Sequence, residues 1–252
     1  MKARTAAIAI VVLTAAAIGG AMLPRLLSRP RAAVGVAPSV YPVRGIDLSA
    51  HNGPVDFCRV AGSGIDFAII KASEGASWRD SLFERNYAGA LEAGMRVGAY
   101  HFFRFDVEGW RQSVNILGAI GDRHLDLPVA IDVEEFANPP DATTAEVVQN
   151  LRSMIEIMRQ NGREPMIYTN KNGYYRFVRG RFDDVALWIC SFTNPPLADQ
   201  ARWTLWQHSH IGRVDGIRGP VDISTFNTPW RGSYAEWLDS LPSLSSLSSR
   251  PR

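Results

Sequence analysis

The amino-acid sequence predicts an α/β chain folded as an irregular TIM-type barrel with fewer than eight full helices. Two observations carry this: short apolar strands alternate with helical patterns from residue 44 onward, and polar side chains recur at the strand ends. The length, 252 residues, suits one large domain of this kind, and an apolar content of 46% supplies its core.

Strands are expected at Arg44 to Leu48, Phe67 to Ala72, Val97 to Phe103, Val129 to Glu134, Met166 to Thr169, Ala186 to Cys190, Thr204 to Gln207 and Val221 to Ile223. Helical patterns fit Val55 to Ala61, Leu82 to Ala93, Glu108 to Ile120, Thr144 to Asn161, Asn172 to Arg179 and Tyr234 to Leu241. Gly94, Gly121 and Gly162 follow helical runs as stop signals. Between Cys190 and Val221 the connections are too short and too rich in Pro and Gly for full helices, which makes the barrel irregular. The sequence has no internal repeat.

The ends differ from this body, taken as residues 44–241. Residues 1–31 run apolar and uncharged from Thr5 to Pro24 between basic flanks, as in an exported chain. Their apolar length lies between that of a cleaved signal peptide and that of an uncleaved anchor through residues 5–24, and Gly19-Gly20-Ala21 supplies small residues for cleavage. The expected location is periplasmic or extracellular, with anchoring in the cytoplasmic membrane as the alternative. Residues 32–43 read as a linker and residues 242–252 as a disordered tail. Seven of the 27 basic residues sit in the two ends, leaving 20 against 25 acidic residues, a net charge of −5, between residues 32 and 249. An acidic body lacks the basic footprint of a nucleic-acid binder. Cys58 and Cys190 are too few for a disulfide scaffold and are expected as two unpaired, buried thiols.

Chemistry centres on Ala130-Ile131-Asp132-Val133-Glu134-Glu135. Strand side chains alternate between faces, so Asp132 and Glu134 share one surface with Cβ atoms roughly 6.5 to 7 Å apart. Like charge and partial burial then favour protonation of one carboxyl and ionisation of the other, the raw material of acid-assisted glycoside cleavage. Barrel chemistry gathers at the C-terminal ends of strands. There the sequence puts Asp47, Lys71 and Glu74, Tyr100 and His101, Tyr168 and Asn170, and Gln207, with Asp222 in the last strand. Singly, each has an ordinary structural role: Asp47 as a helix cap, Lys71 as partner of an acid, His101 as a packed core histidine. Together they predict four carboxylates at one mouth. Tyr100, Phe102, Tyr168, Trp188, Trp203 and Trp206 add flat faces suited to sugar rings. No phosphate loop, nucleophile elbow or metal-ligand spacing is present, so no cofactor and no metal are expected.

Seven stretches in order, Gly45-Ile46-Asp47-Leu48-Ser49, Phe67 to Gly75, Gly98-Ala99-Tyr100-His101-Phe102, Ile131-Asp132-Val133-Glu134, Leu187-Trp188-Ile189, Trp203-x-x-Trp206-Gln207 and Gly219-Pro220-Val221-Asp222-Ile223, resemble the motifs of glycoside hydrolase family 25, the Chalaropsis-type lysozymes or N-acetylmuramidases. The resemblance covers roughly residues 44–228. It implies an irregular β/α barrel that cuts the β-1,4 bond between N-acetylmuramic acid and N-acetylglucosamine in peptidoglycan. Glu134 would be the general acid, Asp132 would orient the 2-acetamido group, and Asp222 and Asp47 would complete the acidic cluster. Tyr100, Tyr168, Trp206 and Gln207 would line the sugar groove, and their strand-end positions add Lys71, Glu74 and His101 to the expected substrate contacts. Carboxyl spacing leaves retention and inversion open, and the absence of an obvious nucleophile favours assistance by the substrate's acetamido group. The chain departs from the family pattern at Ala50-His51-Asn52-Gly53, at His208-Ser209-His210 and at Cys190-Ser191-Phe192, which bears on the sugar subsites and leaves the acids intact. The competing expectation is an inactive or weakly active peptidoglycan-binding module, free or tethered to the membrane, for which four acids have no use. No feature calls for an obligate interface, so a monomer is expected.

Overall fold

Strand pairing closes the chain on itself. The structure, a computed structural model, describes residues 33–241, so the segments 1–31 and 242–252 lie outside the described residues. Eight strands form the barrel: β1 (Arg44–Leu48), β2 (Phe67–Glu74), β4 (Arg96–Phe102), β5 (Val129–Asp132), β6 (Pro165–Asn170), β7 (Ala186–Cys190), β8 (Leu205–Gly212) and β9 (Val221–Phe226). Pairing of β1 with both β2 and β9 completes the ring. A ninth strand, β3 (Trp78–Arg79), turns back on β2 as a hairpin that the sequence reading did not predict. The expected strand Val129 to Glu134 stops at Asp132, although Val133 N still donates to the Tyr168 carbonyl at 2.8 Å.

All barrel strands run parallel except β9, which is antiparallel to β8 and to β1. Residues 213–220 explain the reversal, because a parallel return needs a crossover of about a dozen or more residues and this connection is shorter. Helices Phe57–Gly62, Phe83–Glu92, Gly109–Ile120 and Thr144–Gln160 occupy earlier crossovers, as expected. Thr143 and Glu146 cap each other's backbone N–H to start the last of these. Gly94, Gly121 and Gly162 adopt positive φ just past their helices, the conformation for which a stop glycine is suited. The expected helix over Asn172 to Arg179 is a tight three-residue helical turn, Lys171–Gly173, running into a wider one, Tyr174–Val178. No helix among the described residues is long and apolar enough to cross a membrane.

Alternation along the strands makes two apolar layers. Ile46, Ile70, Val97, Ile131, Ile167, Leu187, Ile189 and Trp206 face outward and pack with the helices. Phe67, Ile69, Met166, Trp188, Leu205 and Phe226 fill the barrel, and Tyr234, Trp237 and Leu238 of the Tyr234–Asp239 helix pack against that inner group.

Of residues 32–43, expected as a flexible linker, the described part, 33–43, is docked on the barrel. Val34 N donates to the His208 carbonyl at 2.9 Å, Ala33 bridges Ser209, and buried Tyr41 packs on Trp203 and Trp206. The two cysteines are free, but Cys58 is exposed and only Cys190 is buried, because Cys58 falls on the solvent side of its helix.

The Gly109–Ile120 and Thr144–Gln160 helices touch at backbone level. A Cβ on Gly109 would lie 1.9 Å from the Asn150 carbonyl oxygen, an atom that cannot move without the helix. Gly109→Ala is therefore expected to cost about 2 to 3 kcal/mol or more, read as a lower urea midpoint at unchanged m value. A stability within about 0.5 kcal/mol of wild type would contradict this crossing.

Candidate active site

Each barrel strand contributes one inward polar group near the same end, forming a ring: Asp47, Lys71, Tyr100, Asp132, Tyr168, Cys190, Gln207 and Asp222. Register ties neighbours together, with Asp47 opposite Asp222, Lys71 beside Tyr100, Asp132 beside Tyr168 and Cys190 beside Gln207. For the parallel strands this is the C-terminal end. Asp222 is the second residue of β9 and joins the ring because β9 runs backwards.

Glu134 extends from the loop after β5. It and Asp132 are each 8% exposed, and Asn170 Nδ2 donates to Glu134 Oε1 at 3.5 Å. Asn138 clamps the loop by donating to the carbonyls of Glu134 (2.8 Å) and Phe103 (3.0 Å) and by accepting from Phe105 N. Thr169 Oγ1 donates to the Val133 carbonyl between the two acids. The spine of the site is a relay in which Tyr168 Oη donates to Gln207 Oε1 at 2.6 Å and Gln207 Nε2 donates to Asp47 Oδ2 at 2.8 Å. Beside it, His210 Nδ1 lies 2.9 Å from Asp222 Oδ1 and His210 Nε2 lies 3.5 Å from Cys190 Sγ.

The acids converge in their electrostatic effect. Burial first, then Asp47, Asp132 and Asp222, push the Tyr100 phenol well above its ordinary range. Burial, followed by the neighbouring Cys190, Glu134, Asp132 and Asp47, does the same to Tyr168. Cys190 is also pushed up, by burial and then by Glu134, with a Tyr168 hydrogen bond opposing and Asp222 and Asp47 adding. Both phenols and the thiol therefore keep their protons among carboxylates, as hydrogen-bond donors. Among the described residues no group of three or more His, Cys, Asp or Glu is arranged to hold a metal ion.

The structure brings Glu134, Asp132, Asp222, Asp47, Tyr100, Lys71, Glu74, Tyr168 and Gln207 to this mouth. Lys71 Nζ pairs with Glu74 Oε2 at 2.9 Å and lies over the rings of Trp78 and Phe102, 4.8 and 5.1 Å from their centroids. Gln207 is 1% exposed and spends both ends of its amide on the relay, so it holds Asp47 instead of presenting a free group to a sugar. Two expected groove residues lie elsewhere. Trp206 is fully buried on the outer face against Tyr41 and Trp203, with Nε1 donating to the Ser191 carbonyl at 2.7 Å. His101 is fully buried between β4 and the Gly109–Ile120 helix, with Nδ1 2.8 Å from Ser73 Oγ and Nε2 3.1 Å from Gln112 Oε1. Period two explains both, since Gln207 and Tyr100 already point inward and their strand neighbours must point out.

The sequence reading did not single out Trp78, which stands 45% exposed on the β2–β3 hairpin. The signal was local: Gly75, at φ 52, opens a three-residue turn between Glu74 and its cross-strand partner Trp78. Cys190, expected as a buried thiol, and His210, which stands in a departure from the family pattern, are not among the expected site residues.

Comparison with known proteins bears on the whole barrel. The sequence profile of Glycosyl hydrolases family 25 matches residues 46–217. The uncharacterized protein YegX of Escherichia coli K12 is 34% identical over 196 residues, covering 75% of this chain and 71% of that protein. Lysozyme M1 of Streptomyces globisporus is 30% identical over 213 residues, covering 78% and 70%. Among solved structures, a family 25 glycosyl hydrolase from Bacillus anthracis superposes with a TM-score of 0.73 at 29% identity, covering 85% of this chain and 99% of that one.

Burial above all, with Lys71 adding and the Gln112 hydrogen bond opposing, lowers the His101 pKa from 6.5 to about 4. Below pH 6.5 the unfolded chain takes up a proton that the folded chain refuses until about pH 4, so stability contributed by neutral His101 is present above that window and is lost as pH falls through it. His101→Gln is expected to flatten the decline of the urea midpoint between pH 7 and pH 4.5 relative to wild type. Parallel declines would contradict this.

Proposed function

Because this chain belongs to glycosyl hydrolase family 25 and is a glycoside hydrolase, we propose that it is a lysozyme that cuts the β-1,4 bond between N-acetylmuramic acid and N-acetylglucosamine in peptidoglycan. The observation that carries this reading is the meeting of four carboxylates from β1, β9 and the end of β5 around two protonated phenols at one barrel mouth. The relative from Streptomyces globisporus that is named a lysozyme supports the substrate class.

In this reading Glu134 is the general acid. A glycosidic oxygen leaves poorly without a proton, and low exposure beside other carboxylates is the setting in which a carboxyl group retains one. Asn170 orients its carboxyl group, and the Asn138 clamp fixes the loop that carries it. Asp132 steers the substrate's 2-acetamido oxygen toward the anomeric carbon. That route needs no enzyme nucleophile and falls outside the rule that reads stereochemistry from carboxyl separation. Asp47, held by Gln207, and Asp222, held by His210, steady the positive charge that develops at the same carbon. Tyr100, Tyr168, Lys71 and Glu74 border the sugar site, with exposed Trp78 offering a stacking face beside Lys71. The enzyme acts as an exported monomer, released or held through residues 5–24, on the wall outside the cytoplasmic membrane.

Glu134→Gln is expected to lower the rate of clearing of a purified cell-wall suspension by at least about 10²-fold with an unchanged unfolding midpoint. Negligible activity in both proteins would favour the binding module. Mass spectrometry of the borohydride-reduced digest is expected to find muramic acid at the new reducing ends, and glucosamine there would overturn the bond assignment.

A further inference from the structure

Cys190 and His210 occupy the mouth at two places where the sequence departs from the family pattern, and they touch. Cys190 ends β7, and His210 lies in the extension of β8 beyond Gln207. The thiol sulfur is 3.5 Å from Nε2 of the imidazole, whose Nδ1 is 2.9 Å from Asp222 Oδ1. The Phe192 ring meets the imidazole edge-on, with centroids 4.8 Å apart. The His210 side chain is 16% exposed.

We propose that His210 is a positioning residue for the glycosidase: its Nδ1–H donates to Asp222 and aims that carboxylate into the mouth, while its Nε2 is braced by the Cys190 thiol. The inference rests on the glycosidase reading above. A neutral imidazole has one donor and one acceptor nitrogen, and its partners decide which is which. The Asp222 carboxylate accepts, so the proton of that contact sits on Nδ1, and in the Nδ1–H tautomer Nε2 accepts from the thiol. Cys190 can donate because burial and the nearby Glu134, Asp222 and Asp47 keep the thiol protonated.

Cysteine, histidine and aspartate in this order also make nucleophilic triads, in which the thiolate pairs with imidazolium. Here a thiolate would add a further negative charge to a buried group of carboxylates, so the three residues form an orienting relay and not a nucleophile. The relay runs beside the one in which Tyr168 and Gln207 hold Asp47, with Cys190 paired to Gln207 across the strands. Asp222 faces Asp47 on β1, Tyr100 on β4, Cys190 on β7 and His210 on β8.

Two variants and one spectrum test this. His210→Leu removes the Nδ1–H donor that aims Asp222, and His210→Asn keeps a side-chain N–H donor. In His210→Leu kcat per folded molecule is expected to fall by about tenfold with KM within about twofold of wild type, and His210→Asn is expected to recover most of that loss. A kcat near wild type in folded His210→Leu, or a His210→Asn variant as slow as His210→Leu, would overturn the proposal, since lost packing is not restored by an amide. Independently of turnover, side-chain ¹H–¹⁵N spectra at pH 7.5 are expected to show the Nδ1–H tautomer for the His210 signal, assigned by its loss in His210→Leu. An Nε2–H tautomer would overturn the relay. Wild-type protein that shows the Nδ1–H tautomer but releases no sugar from cell walls would support the relay and refute the lysozyme reading instead.

Discussion

The antiparallel closure of the barrel by β9 is the constraint on which the rest of the site depends. A parallel last strand would carry Asp222, its second residue, to the floor of the barrel. Reversal brings it to the mouth and sets it directly across from Asp47. The connection over residues 213–220 enforces this direction, because it is too short to climb back along the barrel for a parallel start. Chain length in one loop thus determines where a charge sits.

Two like charges in register across strands repel, so the arrangement persists only if each carboxylate has compensating donors. Gln207 supplies one to Asp47 and is itself oriented by Tyr168, and His210 faces Asp222 from the neighbouring strand. Around them the sheet is rigid, with Trp188 as a floor whose Nε1 donates to Ser224 Oγ and whose ring lies 4.5 Å from that of Tyr168. Preorganised donors on packed strands need no rearrangement when positive charge develops on a substrate, and this is the larger part of electrostatic catalysis.

Much of this was legible in the residues themselves. Short apolar runs located all eight barrel strands because most of their residues are buried on both faces, and the acids at their ends declared the mouth. Directions and faces were harder. Tyr100 and His101 were both assigned to the groove, as were Trp206 and Gln207, yet adjacent strand residues face opposite sides and each pair can supply only one. Irregularity in β2 hid a further case, since the register shift between Lys71 and Ser73 turns Ser73 outward to His101 while Lys71 and Glu74 still pair at the mouth. Residues 33–43 carry prolines and only a short apolar alternation at Val34 and Val36, so their docking depends on contacts that only the closed barrel creates.

If Asp47 and Asp222 act as one unit, their losses on neutralisation overlap. A double-mutant cycle on kcat/KM with Asp47→Asn and Asp222→Asn measures this directly. The account predicts that the double variant loses at least about tenfold less than the product of the single losses. Additive losses, with each variant folded, would mean that the two acids act independently and that the reversal of β9 does not assemble a shared site.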